Sequence, residues 1–352
     1  MQLKVLEISI PMRASAVASL LNSIVHPENI KCLEFNLNDP SWDDGGLRRQ
    51  LQGAFSRFTS LQKFTLHNES PIIMLEVLDS LQSRPIEELS LGFKVKKEEI
   101  SALGAFIGKL TRLRVLKLEV NSSLQHTESD ILICLLQSFS QLRCLEALDL
   151  RMNMKRPRTD PKMMKGVLCA FAKMISCLPR LQELSFKFSR GDYSGEMEHL
   201  LGSLTMMASN LKRLELDFES TKFEVMGLIE LLLNSKLIEV LTLRGLMVSD
   251  QRVLEALSRL ISGAKKLRSL DLSEIVVERE NERFLGMLEG MWMKKGLERF
   301  YCKGTMTVDS EESGKDLGEI LKGIDYLDLL KMSNGVWKFI VKDERFFNYK
   351  WE

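Results

Sequence analysis

One short phrase recurs along the whole chain and limits the fold more than any other feature of the sequence. It consists of an aliphatic residue, two variable residues, an aliphatic or aromatic residue, one variable residue and a third apolar residue. Twelve copies follow one another at intervals of 25 to 36 residues, beginning at Leu3, Ile30, Leu61, Ile86, Leu113, Leu145, Leu181, Leu211, Ile238, Leu267, Leu297 and Ile324. Such regularity over 352 residues predicts one repeating structure rather than several unrelated domains.

Each phrase predicts a short strand, because its last two apolar residues are two positions apart and share one face. Between phrases, apolar residues recur at helical spacing, for example at Val253, Leu254, Leu257, Leu260 and Ile261. A strand and a helix in about 29 residues cannot bury their own apolar faces, so the repeats must stack. Since helices are wider than strands, we expect a horseshoe with parallel strands on the concave side and helices on the convex side.

These phrases resemble the leucine-rich-repeat family, and a full helix in each repeat resembles its ribonuclease-inhibitor-like class. The asparagine or cysteine that the family places after the last leucine is nearly absent, and Asn153 is the clearest instance. The resemblance implies an α/β leucine-rich-repeat solenoid of about 12 repeats. We predict a single solenoid over residues 1–335 and an aromatic C-terminal cap over residues 336–352, where Trp337-Lys338-Phe339 alternates like a strand.

The resemblance also implies a function, namely a non-catalytic scaffold for protein–protein interaction that binds a partner protein, alone or as a subunit of a larger assembly. Three alternatives remain open: the substrate receptor of a ubiquitin ligase, the sensing arm of an immune-type receptor, and a GTPase-activating protein of the Ran type. The first phrase starts at Leu3 without a preceding cap. We therefore expect a partner or an upstream segment to cover the first repeat.

Charge and composition restrict the partner. The formal charge is +1, with 49 basic and 48 acidic residues, so no global field attracts nucleic acid. No run of eighteen apolar residues predicts a membrane span. The six cysteines have no zinc-binding spacing, which favours reduced thiols in the cytoplasm, with the nucleus as the alternative location. We find no metal-ligand, phosphate-loop or nucleophile motif and predict no enzyme, no cofactor and no small-molecule substrate.

The predicted binding surface is the concave strand face. Its central column carries six carboxylates and one lysine: Glu7, Glu34, Thr65, Ser90, Lys117, Asp149, Ser185, Glu215, Thr242, Asp271, Tyr301 and Asp328. The next column is mixed in sign, so cross-strand ion pairs should partly neutralise this stripe. We predict partner-binding residues that contact a basic segment, and they are Glu34, Asp149, Arg151, Glu215, Asp217, Arg244, Asp271 and Tyr301. The alternative is a polar face that only keeps the sheet solvated.

Overall fold

The structure is a computed structural model of the chain. It describes residues 3–37, 45–68, 71–95, 97–122, 129–154, 161–189, 204, 209–219, 236–245, 247–248, 251–277, 284, 287, 297–307, 327–331 and 336–342. The chain packs as two compact units, Met1–Leu181 (unit 1) and Gln182–Glu352 (unit 2). The horseshoe curvature and the single solenoid over residues 1–335 stay predictions.

Unit 1 alternates strands and helices in chain order. Its strands are β1 (Val5–Met12), β2 (Cys32–Leu37), β3 (Lys63–Asn68), β4 (Glu88–Val95), β5 (Val115–Ser122) and β6 (Ala147–Met154). Its helices are α1 (Ala14–Ser23), α2 (Gly45–Phe55), α3 (Pro71–Leu81), α4 (Lys97–Gly108), α5 (Ser129–Phe139) and α6 (Pro161–Ser176). Every strand pairs in parallel with the next one, which confirms the predicted strand–helix repeat.

The phrase explains how unit 1 is packed. On β5, Leu116 and Leu118 are 0% and 1% exposed, whereas Lys117 between them is exposed. Alternate strand residues point to opposite faces, so one face of the sheet packs on the helices and the other is open. Phenylalanines fill the core near the second and third repeats, where the Phe55 ring lies 6.3 Å from Phe35 and 5.7 Å from Phe64 between ring centroids.

Unit 2 repeats this arrangement. Its strands are β7 (Glu183–Ser189), β8 (Arg213–Glu219), β9 (Val240–Arg244), β10 (Met247–Val248), β11 (Ser269–Val277), β12 (Arg299–Thr307), β13 (Leu327–Lys331) and β14 (Val336–Lys342). Strands β7, β8, β9, β11 and β12 pair in parallel in that order, and β10 pairs with the end of β11. Helix α7 (Gln251–Gly263) precedes β11 and confirms the helix predicted from the spacing of Val253 to Ile261.

The C-terminal strands differ from the prediction. The twelfth phrase should add a parallel strand directly to the eleventh, but β14 lies between β12 and β13 and is antiparallel to both. Only residues 332–335 connect β13 to β14, and so short a connection favours an antiparallel hairpin over a parallel crossover. The strand predicted at Trp337-Lys338-Phe339 is confirmed, and residues 343–352 of the predicted cap lie outside the described residues.

Three arginines join neighbouring repeats on the helix side. Helices end with carbonyl groups that lack partners within the helix, and cations near these carbonyls are stabilising. Arg57 donates to three carbonyls at the end of α1, at 2.8 to 3.4 Å, although it follows α2 in the chain. Arg84 donates to the carbonyl of Ser56 after α2, and Arg143 donates to that of Cys177 after α6, at 2.9 Å. We call these three the inter-repeat arginines.

The described residues contain neither a membrane-spanning helix nor a metal-binding group. Among the helices that the structure describes, none has the length and apolar character needed to cross a bilayer. Within the same part of the chain, histidine, cysteine, aspartate and glutamate residues do not assemble into a group that could hold a metal ion.

Candidate functional site

The predicted column of outward residues is formed in each unit. In unit 1, adjacent strands align Glu7, Glu34, Thr65, Ser90, Lys117 and Asp149 as consecutive Cα partners. In unit 2 they align Ser185, Glu215, Thr242, Asp271 and Tyr301. We call the side of each sheet that carries this column its open face. Asp328 does not continue the column, because its Cα partner is Ile340 of β14, and Tyr301 pairs with Lys342.

Ion pairs within single strands engage two of the predicted carboxylates. Arg151 Nε and Nη2 donate to the two carboxylate oxygens of Asp149 at 3.2 and 2.9 Å. Arg213 Nε donates to Glu215 Oε1 at 2.9 Å. In both cases the partners are two positions apart on a strand, which places them on the same face. Both carboxylates thus have a cation from their own strand.

A chain of ion pairs links four strands of unit 2, namely β7, β8, β9 and β11. Lys187 Nζ lies 3.0 Å from Asp217 Oδ2, and Arg244 Nη1 lies 3.5 Å from the same oxygen. The second amino group of Arg244 lies 3.3 Å from Asp271 Oδ2, and the hydroxyl of Ser273 donates to Asp271 Oδ1. We call these five residues the charge network. It includes three of the predicted partner-binding residues, namely Asp217, Arg244 and Asp271.

Arg244 is the centre of the charge network. Burial opposes its charge, but the carboxylates of Asp271 and Asp217 outweigh that effect and raise the pKa of Arg244. Its Nε atom is buried and has no hydrogen-bond partner among the described residues. The guanidinium is therefore held in one orientation by two carboxylates while one of its donors remains unused.

The backbone beside the charge network is irregular. Gly245 follows Arg244 with φ of 82°, a left-handed conformation that glycine adopts without the strain of a side chain. Its N–H donates to the Ser273 carbonyl at 3.1 Å. The register between β11 and β12 shifts between Ser273 and Ile275, as in a β-bulge. At the level of the charge network the β9–β11 pairing therefore ends, and the β11–β12 pairing is interrupted before it resumes at Ile275.

Tyr301 lies on β12 next to the charge network. Its Cα partner is Asp271, and the side chain is half-buried. Burial raises the pKa of Tyr301, the negative charge of Asp271 raises it further, and Arg244 opposes the shift. Cys302, the next residue, points into the core, where burial raises the pKa of its thiol far above the ordinary value. Tyr301 is therefore a neutral aromatic side chain on an otherwise charged surface.

Glu34, the remaining predicted residue, lies far along the unit 1 sheet from Asp149. Its Cα partner on one side is Glu7, so two carboxylates are adjacent across β1 and β2. Neither forms an ion pair among the residues that the structure describes, and the nearest polar contact of Glu7 is the Cys32 sulfur at 4.0 Å. The predicted residues thus form three separate groups on the open faces.

Two members of these groups were not predicted, Arg213 and Ser273. Both are two positions from a predicted carboxylate on the same strand, at Glu215 and Asp271. The strand period would have identified them, because residues at positions i and i+2 share a face. Lys187 is in the second column, next to the predicted set, and its contact depends on the parallel register between β7 and β8.

Comparisons with known proteins add little to this geometry. No family model matches the chain, and no curated protein matches it. Among solved structures, the leucine-rich repeat-containing protein LegL7 from Legionella pneumophila is similar over 91% of this chain and 98% of that chain, with a TM-score of 0.43 and 13% sequence identity. The phrase on the strands, their parallel pairing and the helices between them nevertheless give this chain the leucine-rich-repeat architecture.

Proposed function

We propose that the protein is a non-catalytic scaffold that binds a partner protein through the open faces of its sheets. The observation that carries the proposal is the fixed polar surface around Tyr301, where Lys187, Asp217, Arg244 and Asp271 hold one another in place. Side chains that are already ordered lose little conformational entropy when a partner docks. Tyrosine and arginine are also the residue types that most often dominate binding energy.

Fewer carboxylates are available to a basic partner segment than the sequence indicated. Asp149, Glu215, Asp217 and Asp271 each have a cation within the sheet. A lysine from a partner would have to compete with these pairs and would leave the displaced arginine without a carboxylate. Among the described carboxylates of the central column, Glu7 and Glu34 remain without an ion pair and are accessible to a basic segment.

The first repeat supports a second contact with a partner. Large apolar side chains are exposed there, with Leu3 at 56%, Val5 at 49% and Val25 at 78%. Strand β1 also forms an edge of the sheet, with one row of backbone hydrogen-bonding groups that no described strand pairs. We include in the proposal that a partner or an upstream segment covers this repeat, as expected for a subunit of a larger assembly.

A steric block on the open face tests the proposal. In Thr242→Trp, a bulky side chain replaces a half-buried threonine in the central column of unit 2, and Ser90→Trp does the same in unit 1. Lys266→Trp, at an exposed position after helix α7, is the matched control. We would purify each tagged chain from its native cells and quantify the proteins that accompany it, after checking by thermal melting that each variant is folded.

We expect a stoichiometric partner with the wild-type chain and with Lys266→Trp, and its loss with at least one open-face variant. Retention of the partner by both open-face variants would exclude the open faces as the binding surface. If no protein accompanies the wild-type chain in stoichiometric amounts, the scaffold proposal itself is wrong. Deuterium exchange of β1 in the purified complex and in the free chain then shows whether the first repeat is covered.

A further inference from the structure

The open face of β12 carries one cation on each side of Tyr301. Phe300 and Cys302 are 6% and 0% exposed and point into the core. Their neighbours Arg299, Tyr301 and Lys303 therefore share the opposite face, with Arg299 exposed and the other two half-buried. At the strand rise, consecutive members of this set lie roughly 6.6 Å apart. We call these three residues the β12 patch.

The neighbouring strand does not neutralise the β12 patch. The Cα partners of Arg299, Tyr301 and Lys303 on β11 are Ser269, Asp271 and Ser273. Asp271 is the only acid among them, and Arg244 and the Ser273 hydroxyl already occupy its two oxygens. Among the residues that the structure describes, Arg299 and Lys303 form no ion pair.

The strand on the other side of β12 is β14, and the register gives the positions that face the β12 patch. The Cα partner of Tyr301 on β14 is Lys342, and that of Lys303 is Ile340. The acid in this row, Asp328, lies one strand further away, opposite Ile340. On β11 and β12, two cations, Arg299 and Lys303, therefore stand against one acid, Asp271, in the rows around Tyr301, although the whole chain is balanced with 49 basic and 48 acidic residues.

We propose that the β12 patch binds an acidic, extended segment of the partner protein, with carboxylates at Arg299 and Lys303 and an apolar side chain on the ring of Tyr301. This inference rests on the proposed function and identifies the chemistry of its partner. The two cations lie roughly 13 Å apart, which is the span of residues i and i+4 in an extended chain. Charges of opposite sign on the partner are then paired on docking, and the aromatic ring excludes water between them.

The same surface disfavours nucleic acid and a basic segment. A single-stranded nucleic acid needs a continuous positive groove and several aromatic rings on which successive bases stack. Here the strands beyond β12 carry Asp271, Asp217 and Glu215, each paired with a cation of the sheet, so the positive charge of β12 does not continue as a groove across the sheet. A lysine-rich segment would be repelled by Arg299 and Lys303 themselves.

Binding of short peptides to the full chain tests this inference. The acidic probe is the peptide Ser-Glu-Thr-Leu-Thr-Glu-Ser, and the basic probe has lysine in place of both glutamates. A ten-nucleotide oligouridine serves as the nucleic-acid probe. Titration followed by NMR chemical shifts measures affinities up to the millimolar range. The patch variant is Arg299→Ser with Lys303→Ser, and the control is Lys265→Ser with Lys266→Ser, which removes the same charge from exposed positions after helix α7.

We expect the acidic probe to bind the wild type at least tenfold more tightly than the basic probe does, since one lost charge contact of about 1.4 kcal/mol corresponds to a factor of ten. The patch variant should lose at least tenfold in affinity, and the control less than twofold. Equal loss in both variants, preference for the basic probe or oligouridine, or no binding at millimolar peptide would overturn the inference. The scaffold proposal would survive those results if Thr242→Trp still removed the cellular partner.

Discussion

The open faces of the two units have similar residues in their central columns but differ in electrostatics. In unit 1, Glu7 and Glu34 lie side by side without an ion pair among the described residues, far from the Asp149–Arg151 pair. In unit 2, Asp217 and Asp271 share Arg244, whereas Arg299 and Lys303 of β12 form no ion pair within the described part of the chain. One face therefore presents negative charge near its first strand, and the other presents positive charge around Tyr301.

The difference teaches that the composition of a column does not determine the charge of a surface. Both columns contain carboxylates, but in unit 2 Arg244 of the second column reaches across to Asp271 of the central column. Whether a carboxylate is available to a partner depends on parallel register and on the length of the neighbouring cation. Four predictions test how far the two units differ, and they follow in order of expected effect.

The largest effect should come from the core of unit 1. Phe55 is 1% exposed and its ring packs against those of Phe35, Phe58 and Phe64. Phe55→Ala should lower the free energy of unfolding by about 3–5 kcal/mol, because a cavity adds to the lost transfer energy. Chemical denaturation measures the loss, and deuterium exchange locates it. If amides of β7 to β9 lose as much protection as those of β2 and β3, the two units unfold as one and the comparison between them fails.

The next effect should come from the charge network. Arg244→Met leaves Asp217, whose side chain is 12% exposed, with Lys187 as its only cation in the network. We expect a loss of about 1–2 kcal/mol, below the 3–5 kcal/mol of a fully buried pair because Arg244 itself is 41% exposed.

Arg151→Met is the control for Arg244→Met in unit 1, since Arg151 is 52% exposed. It should cost less than about 1 kcal/mol, as expected for a surface pair. Denaturation of both variants at low and high salt measures the difference. Equal losses in the two variants would mean that Arg244 contributes no more to the free energy of unfolding than an ordinary surface pair does.

A smaller effect should come from the open face of unit 1. The ring of His67 on β3 lies over Gly92 on β4, so a methyl group at position 92 would overlap that ring. Gly92→Ala alone should be close to neutral or mildly destabilising, because the exposed histidine must move. In the His67→Ala background the same change should stabilise the protein by about 0.5–1 kcal/mol by restricting the unfolded chain. A double-mutant cycle measures this coupling, and equal effects in both backgrounds would contradict the contact.

The smallest effect concerns the pH dependence of unit 2. The raised pKa of Tyr301 means that the folded state holds the phenol proton more tightly than the unfolded state does. Its contribution to stability is therefore present below the ordinary pKa of 10.0 and is lost as the pH rises through the folded pKa. Wild type should lose more stability than Tyr301→Phe between pH 9 and pH 11. If the free energy of unfolding falls equally with pH in the two proteins, the pKa of Tyr301 is not raised and its phenol is more solvated than the structure indicates.

The sequence predicted the alternation of strands and helices and, except for Asp328, the described members of the central column, because both depend on local periodicity. Leu116, Leu118 and their equivalents alternate with polar residues in almost every phrase, and the strand period alone assigns their faces. The same reasoning could not place β14. Its position depends on competition between a hairpin with β13 and the open edge of β12, and the phrase contains no information about that pairing.

The candidate site was predictable only in part for a related reason. The strand period gave Asp271 and Tyr301 as neighbours, which the register confirms. It did not show that Arg244 turns toward both Asp217 and Asp271, because the choice among cross-strand partners depends on side-chain reach and burial. The strand period therefore predicted the alignment of the central column up to Tyr301, and the contacts of its carboxylates could be read only from the structure.

The inter-repeat arginines have a mechanical consequence. Each of them ties a helix end to a residue of the neighbouring repeat, so a force that pulls one repeat away must break hydrogen bonds to backbone carbonyls as well as one row of strand pairing. These ties are short and break over a small extension. Under tension, unit 1 should therefore lengthen in steps of about one repeat, and the highest forces should be needed at the three junctions that these arginines join.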